Sequence, residues 1–405
     1  MRYDGWKETR LIDVIDINPR TPLRKGTLAK KVSMQHVAEF TRKIQSYEIA
    51  EFTSGSKFKN GDTLLARITP CLENGKTAYV DILEDNEIAF GSTEFIVLRA
   101  KEGITDSKFV YYLAISPEFR NVAIKSMTGS SGRQRVQSDV LANTVICLPP
   151  LQEQKRIANL LSAIDDKIEL NNEMNKTLEE LAQMLFKRWF VDFEFPNENG
   201  EPYKSSGGKF VQSELGMIPE GWRSGTLGEL IKISSGKRPL KKSKEKTEEF
   251  LIPLIGASSV MGYVKEVLYD EKILIIGRVG THGVVQRYQK KCWPSDNTLV
   301  IKSSYYEYIY QLLKSIDYAQ LNRGSTQPLI TQTDVKNVKI IIPSKEVLEK
   351  YELLVGTLFN KVEKSLEENV SLSALRDTLL PKLMSGEIRV VDAEREVEVC
   401  LQKSS

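Results

Sequence analysis

The sequence contains few of the residues that build metal centres and disulfide frameworks. It has two histidines and four cysteines, and no two cysteines are separated by only two residues. Disulfide scaffolds and cysteine-based zinc sites are therefore not expected, and a reducing cytoplasm is the simpler setting for these thiols. With so little histidine, we also expect no metal and no cofactor. The residues concerned are Cys71, Cys147, Cys292, Cys400, His36 and His282.

Long hydrophobic runs are missing as well. No stretch of about 18 apolar residues occurs, the length that a membrane-spanning helix needs. Residues 1–6 carry no apolar signal core. These features predict a cytoplasmic protein without a membrane partner.

A strong excess of charge is absent too. The 405 residues include 57 basic and 54 acidic side chains, giving a net charge of +3. This balance does not demand nucleic acid as a partner, but it allows a basic face on a neutral body. The hydrophobic fraction of 41% is enough for two or three globular units with cores of their own.

An internal repeat is the strongest feature that the sequence does contain. The offset between matched positions falls from 216 at the first pair to 194 at Pro149 and Pro343, and chance matches would scatter in both directions. We interpret this as one duplicated unit whose second copy has lost loop residues. The matched segments are Gly5-Trp6 with Gly221-Trp222, Leu65-Ala66-Arg67-Ile68 with Ile276-Gly277-Arg278-Val279, Phe109-Val110-Tyr111-Tyr112-Leu113 with Tyr308-Ile309-Tyr310-Gln311-Leu312, and Asp139-Val140 with Asp334-Val335.

Each copy begins with a mixed α/β part and ends in a long helix. Short β-branched runs such as 144–148 and 338–342 indicate strands. Apolar residues then recur in alternating steps of four and three, which is a heptad seam. Ser344 is a candidate N-cap of the second helix, and Gly386 a candidate C-terminal stop.

Both seams are interrupted by polar residues at matching depth. Asn171 and Asn175 break the first seam, and Ser365 and Asn369 break the second. Two helices broken at the same depth can pair with each other, since buried asparagine fixes the register of a coiled coil. The alternative is that each helix packs on its own domain while the asparagines face water.

At this point the sequence resembles a known family. Two helical motifs carry the resemblance, and the Gly-Trp that opens each half fits it as well. They look like the first conserved region of type I restriction–modification specificity subunits and the end of the second. The motifs are Leu148-Pro149-Pro150-Leu151-Gln152-Glu153-Gln154-Lys155-Arg156-Ile157-Ala158 and Leu379-Leu380-Pro381-Lys382-Leu383-Met384-Ser385-Gly386-Glu387-Ile388.

The resemblance implies an α+β fold, with two duplicated α/β target recognition domains joined by two long helices that pair as an antiparallel coiled coil. Each domain would read one half of a bipartite, asymmetric site in double-stranded DNA. Two modification (methyltransferase) subunits would dock on the helical regions, and restriction subunits would then complete the nuclease. One departure is that residues 343–350 replace the Pro-Leu-Gln-Glu-Gln-Lys-Arg run in the second copy.

The expected organisation follows from the repeat and the motifs together. Residues 194–220 are rich in Pro, Asn, Gly and Ser and form a predicted linker. Residues 391–405 match no family motif and form a tail. The remaining predicted segments are target recognition domains at 1–149 and 221–343 and helical regions at 150–193 and 344–390.

Catalytic motifs are not found, so the chain is not expected to be an enzyme. Asn74-Gly75-Lys76-Thr77 ends like a P-loop, but Pro70 occupies the position of its first glycine, which favours a turn between strands. There is neither an Asn/Asp-Pro-Pro-aromatic motif nor a glycine-rich methyl-donor loop, so methyl transfer must come from a partner. A fused methyltransferase or nuclease and a coiled-coil adaptor without DNA specificity are the competing interpretations.

One loop in each copy is the leading candidate for DNA contact. Arginine pairs with guanine and glutamine with adenine, and glycine lets the backbone approach phosphate. The alternative is a solvated polar loop, but both copies place such a loop at the same point. The predicted contacts are Ser130, Ser131, Arg133, Gln134 and Arg135 in the first copy, and Arg323, Ser325, Thr326 and Gln327 in the second.

Two further groups of cations complete the predicted interface. Arg67 and Arg278 stand at matched strand ends, where a structural ion pair is the alternative. A basic stretch in the second copy is a candidate for phosphate contact, although charge runs are often only solvated. Its predicted contacts are Lys237, Arg238, Lys241 and Lys242.

Overall fold

Residues 5–130, 132–279, 283–321 and 329–404 are described by the computed structural model of the chain. The chain divides into two units. The first comprises Met1–Glu173 and Ser365–Ser405, and the second comprises Met174–Lys364. Each unit therefore contains a part of both long helices.

In the first unit, two four-stranded sheets and a two-stranded sheet form the β-structure. The strand orders are β2-β9-β6-β7, β4-β3-β8-β5 and β1-β10. The strands are β1 (Lys7–Arg10), β2 (Ile15–Ile17), β3 (Leu28–Val32), β4 (Glu48–Glu51), β5 (Ser56–Phe58), β6 (Thr63–Ala66), β7 (Thr77–Tyr79), β8 (Ala89–Gly91), β9 (Phe95–Ala100) and β10 (Val145–Leu148). The helices are α1 (Leu11–Val14), α2 (Ser107–Ile115), α3 (Pro117–Lys125), α4 (Ser138–Asn143) and α5 (Leu151–Phe186), which continues as a π-helical turn at Lys187–Val191.

The second unit repeats this plan with fewer strands in its second sheet. Its strand orders are β14-β20-β17-β18, β16-β15-β19, β13-β21 and β11-β12. The strands are β11 (Phe210–Ser213), β12 (Gly216–Pro219), β13 (Arg223–Thr226), β14 (Lys232–Ser235), β15 (Ile252–Ile255), β16 (Val260–Val264), β17 (Ile273–Gly277), β18 (Val285–Tyr288), β19 (Trp293–Pro294), β20 (Thr298–Lys302) and β21 (Lys339–Ile342). The helices are α6 (Tyr306–Ser315), α7 (Tyr318–Leu321), α8 (Gln332–Lys336) and α9 (Lys345–Ser385), and α10 (Val390–Ser404) follows in the first unit.

The strand registers confirm the duplication residue by residue. Three pairs of facing residues in the first unit recur in the second at the offsets that the sequence repeat predicts. Lys7 faces Leu148 as Arg223 faces Ile342, Ile17 faces Leu98 as Ile233 faces Ile301, and Leu65 faces Ile96 as Ile276 faces Leu299. The two copies therefore share one fold down to the pairing of single residues.

Strand β6 shows why the sequences of the central strands are unbroken apolar runs. Leu64 belongs to the core between the two large sheets, whereas Leu65 belongs to the core under the helices. Both side chains are completely buried. A strand covered on both faces needs apolar residues at successive positions, and each such side chain contributes about 1.5–3 kcal/mol on burial.

The helical seams pair as predicted. Within the first unit, Asp165 contacts Arg376, and Asn171 further along α5 contacts Asn369 earlier in α9, so the helices run antiparallel. Asn171 is only 1% exposed, and its Nδ2 donates to Asn369 Oδ1 at 2.8 Å. The alternative in which these asparagines face water is therefore wrong.

The ends of α9 agree with the sequence signals. The helix begins directly after Ser344 and ends directly before Gly386, whose φ of +72° favours glycine. The backbone N–H of Glu387 then donates to the carbonyl of Lys382 at 2.8 Å, closing the last turn.

Two segments contain more structure than the sequence patterns indicated. The predicted linker carries the β11–β12 hairpin, and its Phe195 stacks on Trp222 with ring centroids 4.8 Å apart. The predicted tail forms α10, which buries Val390 and Ala393 in the core of the first unit. The bounds assigned to the recognition domains, helical regions, linker and tail remain predictions.

Candidate nucleic-acid interface

The loop at 128–135 of the first unit is a short hairpin with an exposed tip. The backbones of Thr128 and Arg135 exchange two hydrogen bonds, of 2.9 and 3.0 Å, which close its base. Gly129 has a φ of +131°, and a Cβ there would lie 3.0 Å from the carbonyl oxygen of Arg133, so the turn requires glycine. Ser130 and Arg133 are exposed at the tip, where they are free to meet a ligand. Ser131 lies outside the described residues.

This hairpin is attached to the end of β6. The backbone N–H of Val136 donates to the carbonyl of Arg67 at 2.8 Å, and that of Thr69 donates to the carbonyl of Gln134 at 3.0 Å. The structure therefore brings together Arg67 and Gln134, which the sequence placed far apart.

Arg135 forms the ion pair that was considered for Arg67. Its guanidinium donates to both carboxylate oxygens of Glu94 at 2.7–3.1 Å, and this hydrogen bonding lowers the pKa of Glu94. Arg135 remains 43% exposed, so the pair orients the guanidinium without burying it. Among the described residues, no carboxylate lies within 4 Å of Arg67 and the buried Nε of Arg67 has no hydrogen-bond partner. The charge of Arg67 also lowers the pKa of Glu94, so electrostatic pairing of Arg67 with Glu94 remains the alternative to DNA contact.

The second unit repeats the attachment. The backbone N–H of Ile330 donates to the carbonyl of Arg278 at 3.0 Å, and Val279 bridges to Leu329. They match the hydrogen bond from Val136 to Arg67 and the bridge between Ile68 and Arg135 in the first unit. The predicted contacts Arg323, Ser325, Thr326 and Gln327 fall outside the described residues, as does His282, so their roles remain predictions.

The basic stretch of the second unit leaves β14 close to Arg278. Its first residue, Lys237, donates its backbone N–H to the carbonyl of Pro294 at 2.9 Å and accepts a hydrogen bond from the indole of Trp293 at 2.7 Å. Arg238 lies 3.3 Å from Asp296 and is 85% exposed, and the next residue, Asn297, accepts the backbone N–H of Arg278. Lys241 and Lys242 are exposed beyond this anchor.

Sequence reasoning missed a basic loop in the first unit. Residues 20–25 read Arg-Thr-Pro-Leu-Arg-Lys, and residues 237–242 read Lys-Arg-Pro-Leu-Lys-Lys, each directly beyond the strand that borders β9 or β20. The repeat itself was the signal that could have revealed Arg20, Arg24 and Lys25. The match has an offset of 217, one more than the pair of tryptophans, so the expectation that the offset only falls was wrong at this point.

Other kinds of site find little support in the part of the chain that the structure describes. No group of three His, Cys, Asp or Glu side chains there is arranged to hold a metal ion. None of the helices described has the length and apolar character to cross a membrane. Asn74 and Gly75 lie in the turn before β7, as the turn interpretation predicted, and the Lys76 side chain donates to the carbonyl of Met34 at 3.0 Å.

Comparison with known proteins decides the family. The model of the family described as "Type I restriction modification DNA specificity domain" matches residues 3–180 and 219–351, one segment in each copy of the repeat. The chain belongs to this family. The two matched segments contain Arg67, Arg278 and the loops described above. Membership of the family supports a role in DNA recognition for this chain.

Similar proteins support the same assignment. The chain is 32% identical over 319 residues to the type I restriction enzyme MjaIX specificity subunit of Methanocaldococcus jannaschii, covering 72% of this chain and 71% of that one. It is 28% identical over 410 residues to the HindI specificity subunit of Haemophilus influenzae, covering 82% and 87%. The crystal structure of the type I restriction–modification S subunit from M. genitalium has a similar fold, with a TM-score of 0.58 at 18% identity over 94% of this chain and 96% of that chain.

Proposed function

We propose that the chain is a non-catalytic specificity subunit that reads a bipartite, asymmetric site in double-stranded DNA. The observation that carries this proposal is the duplicated fold, in which the same strand registers and the same backbone attachment recur at Arg67 and at Arg278. Two copies of one reader suit a site of two parts. Residues 1–149 and 221–343 are the proposed recognition domains.

The asymmetry of the site rests on differences between the copies at matched positions. Where the first unit has Glu94 paired with Arg135, the second has Asn297 and Leu329. Thr93 is likewise replaced by Asp296, which holds Arg238. Since different side chains make different contacts with base edges, the two units should prefer different sequences.

We propose further that two modification subunits dock on the helical regions at 150–193 and 344–390, and that restriction subunits then join in the cytoplasm. Exposed apolar side chains on the helices support docking there, because such groups outside the helical seam commonly mark protein–protein contacts. They include Leu170 at 60%, Leu366 at 50% and Val370 at 72% exposure in the first unit, and Met184 at 60% and Leu353 at 75% in the second. No catalytic motif occurs in the sequence, so the partners would supply methyl transfer.

Mapping methylated adenines in the host genome, with and without this gene, tests the proposal. We expect methylation at a single motif with two different specific blocks and a gap of fixed length between them. A palindromic or continuous motif would contradict the bipartite, asymmetric assignment. The coiled-coil adaptor would be favoured if the methylation pattern were unchanged and the purified chain bound all DNA sequences equally. An enzyme would be favoured if the purified chain alone catalysed a reaction.

A further inference from the structure

A basic cleft lies beside the loop at 128–135 of the first unit (the reading loop). It has a volume of about 560 Å³, and the described residues that line it include Arg20, Lys57 and Arg67 but no acidic side chain. Among the described residues, none of these three cations lies within 4 Å of a carboxylate. The floor is apolar, because Phe95 and Val97 of β9 contribute to it. Positive charges beside an apolar wall strengthen the electrostatic field in a cleft, because the wall has a low dielectric constant. Such a cleft favours an anionic ligand.

The loop that forms one wall of the cleft is held rigidly. The backbone N–H of Asn18 donates to the carbonyl of Val97 at 2.7 Å, and the Asn18 side chain accepts the N–H of Val97 at 3.0 Å. Thr21 accepts a hydrogen bond from Arg99 at 3.1 Å, and Arg99 is fixed by the buried carboxylate of Asp62 at 2.6–2.7 Å. Arg20 is therefore presented from an ordered backbone, which reduces the entropy lost when a ligand binds.

The opposite wall comes from the second sheet. Strand β5 supplies Lys57, and the preceding Gly55 has a φ of +130° with its Cβ position only 2.1 Å from the carbonyl oxygen of Gly91. Only glycine permits this close approach of the chain to β8. The contact fixes where Lys57 enters the cleft.

Comparing the two units separates two kinds of cation. The basic Pro-Leu loop and the arginine at the strand end are common to both units, as Arg20, Arg24 and Arg67 in the first and Lys237, Lys241 and Arg278 in the second. The units differ at the reading loop, where Arg135 and Glu94 are replaced by Leu329 and Asn297, and in the second sheet, where β5 with Lys57 has no matched strand in β16-β15-β19. If the two units read different bases, what they share must serve something that both half-sites have in common, which is the phosphate backbone.

We propose that the cleft lined by residues 18–22, Lys57 and Arg67, together with the matched cations of residues 237–242 and Arg278 in the second unit, holds the DNA phosphate backbone without regard to base sequence. This inference rests on the proposed function, since it assumes that each unit engages one half-site. The shared cations set the position of each unit on the duplex, and the loops that differ choose the bases.

The salt dependence of DNA binding by the full-length chain tests this directly. The probes are a duplex of random sequence and a duplex carrying the methylated motif, each measured over a range of salt concentrations. Each phosphate contact contributes about 0.9 to the slope of log affinity against log salt. Arg20→Ala with Lys57→Ala should therefore reduce the slope by about 2 on both probes, and Lys241→Ala with Lys242→Ala should do the same.

Two further variants serve as controls. Lys7→Ala with Lys125→Ala removes two exposed cations of the first unit that do not line the cleft, and should leave the slope unchanged. Arg20→Lys with Lys57→Arg keeps the charge and should keep the wild-type slope, because a phosphate accepts either cation whereas a guanine contact made by arginine would be weakened.

Several results would overturn the proposal: an unchanged slope in the alanine variants, a loss confined to the motif-bearing duplex, or a reduced slope in the charge-keeping variant. Failure of the proposed function gives a different pattern. In that case the wild-type chain would show no preference for the motif-bearing duplex, while the slopes on random DNA would still report whether the cleft binds phosphate.

Discussion

Arg376 of α9 donates a hydrogen bond to Asp165 of α5 at 2.8 Å, which makes a buried ionic contact between the two helices in the first unit. Tyr112 of α2 donates to the other oxygen of the same carboxylate at 2.7 Å. The side chains of Asp165 and Arg376 are only 4% and 11% exposed. The carboxylate of Asp165 thus links α2 of the α/β part to the pair of long helices.

Removing the cation should destabilise the first unit strongly. Arg376→Ala leaves Asp165 buried without its charged partner, which costs about 3–5 kcal/mol. Arg395→Ala is the control, because that arginine is 77% exposed and its pairing with Asp392 is worth about 0–1 kcal/mol. Urea denaturation measures both variants. Equal, small losses in the two would show that the buried contact does not stabilise the helix pair.

Glu352 predicts a pH dependence of stability in the second unit. Its carboxylate accepts the backbone N–H groups of Glu307 and Tyr308 at 3.1 and 2.8 Å, at the start of α6. Its pKa is raised from 4.5 to about 7, chiefly by burial and also by the charge of Glu307, while the two backbone hydrogen bonds and Lys272 oppose the rise. Because the folded-state pKa lies above the unfolded one, this contribution to stability is fully present below about pH 4.5 and is lost as the pH rises through about 7.

Glu352→Gln removes the titration and keeps an oxygen for the two backbone donors. Relative to this variant, the wild-type chain should lose about 1–3 kcal/mol of unfolding free energy between about pH 5 and pH 8, the lower values applying if solvent screens the group. The exposed Glu349→Gln should follow the wild-type curve. If the Glu352→Gln and wild-type curves ran parallel, the carboxylate would not titrate in this range.

The reading loop should control base preference in one half-site only. Gln134→Ala or Arg135→Ala is expected to reduce discrimination at that half-site by about 1–3 kcal/mol for each lost bidentate contact. Glu94→Gln should have a weaker effect of the same kind, because it frees the Arg135 guanidinium from its orienting partner. Selection of bound sequences from a random pool measures the preference. Uniform weakening of all sequences would assign these residues to the phosphate backbone instead.

Much of the architecture could be predicted from the sequence. The heptad seams predicted α5 and α9, because the 3.5-residue period persists over many turns. The polar breaks predicted that the two helices pair, and Asn171 contacts Asn369. The repeat gave the shared fold. Arg67 and Gln134 were predicted separately, but only the structure shows that Arg67 bonds to Val136 and that Gln134 bonds to Thr69, since these contacts join residues far apart in the chain.

Other features left weaker signals. Lys57 reaches the cleft on the three-residue strand β5, and nothing in so short a run tells which sheet it joins. The spacing of Val390, Ala393 and Val397 fits one face of a helix, so the sequence does contain a signal for α10 although the segment matches no family motif. The basic loop at 20–25 was hidden by a single extra residue in the second copy.

The claim that two separable units each read half of the site is tested most directly by exchanging one of them. Residues 221–343 would be replaced by the corresponding segment of a family member with a different target, and methylated sites mapped in a host carrying the partner subunits. We expect one block of the motif to change, and a matched exchange of residues 1–149 should change the other block. If either exchange altered both blocks together, or neither, the account of two independent readers would be contradicted.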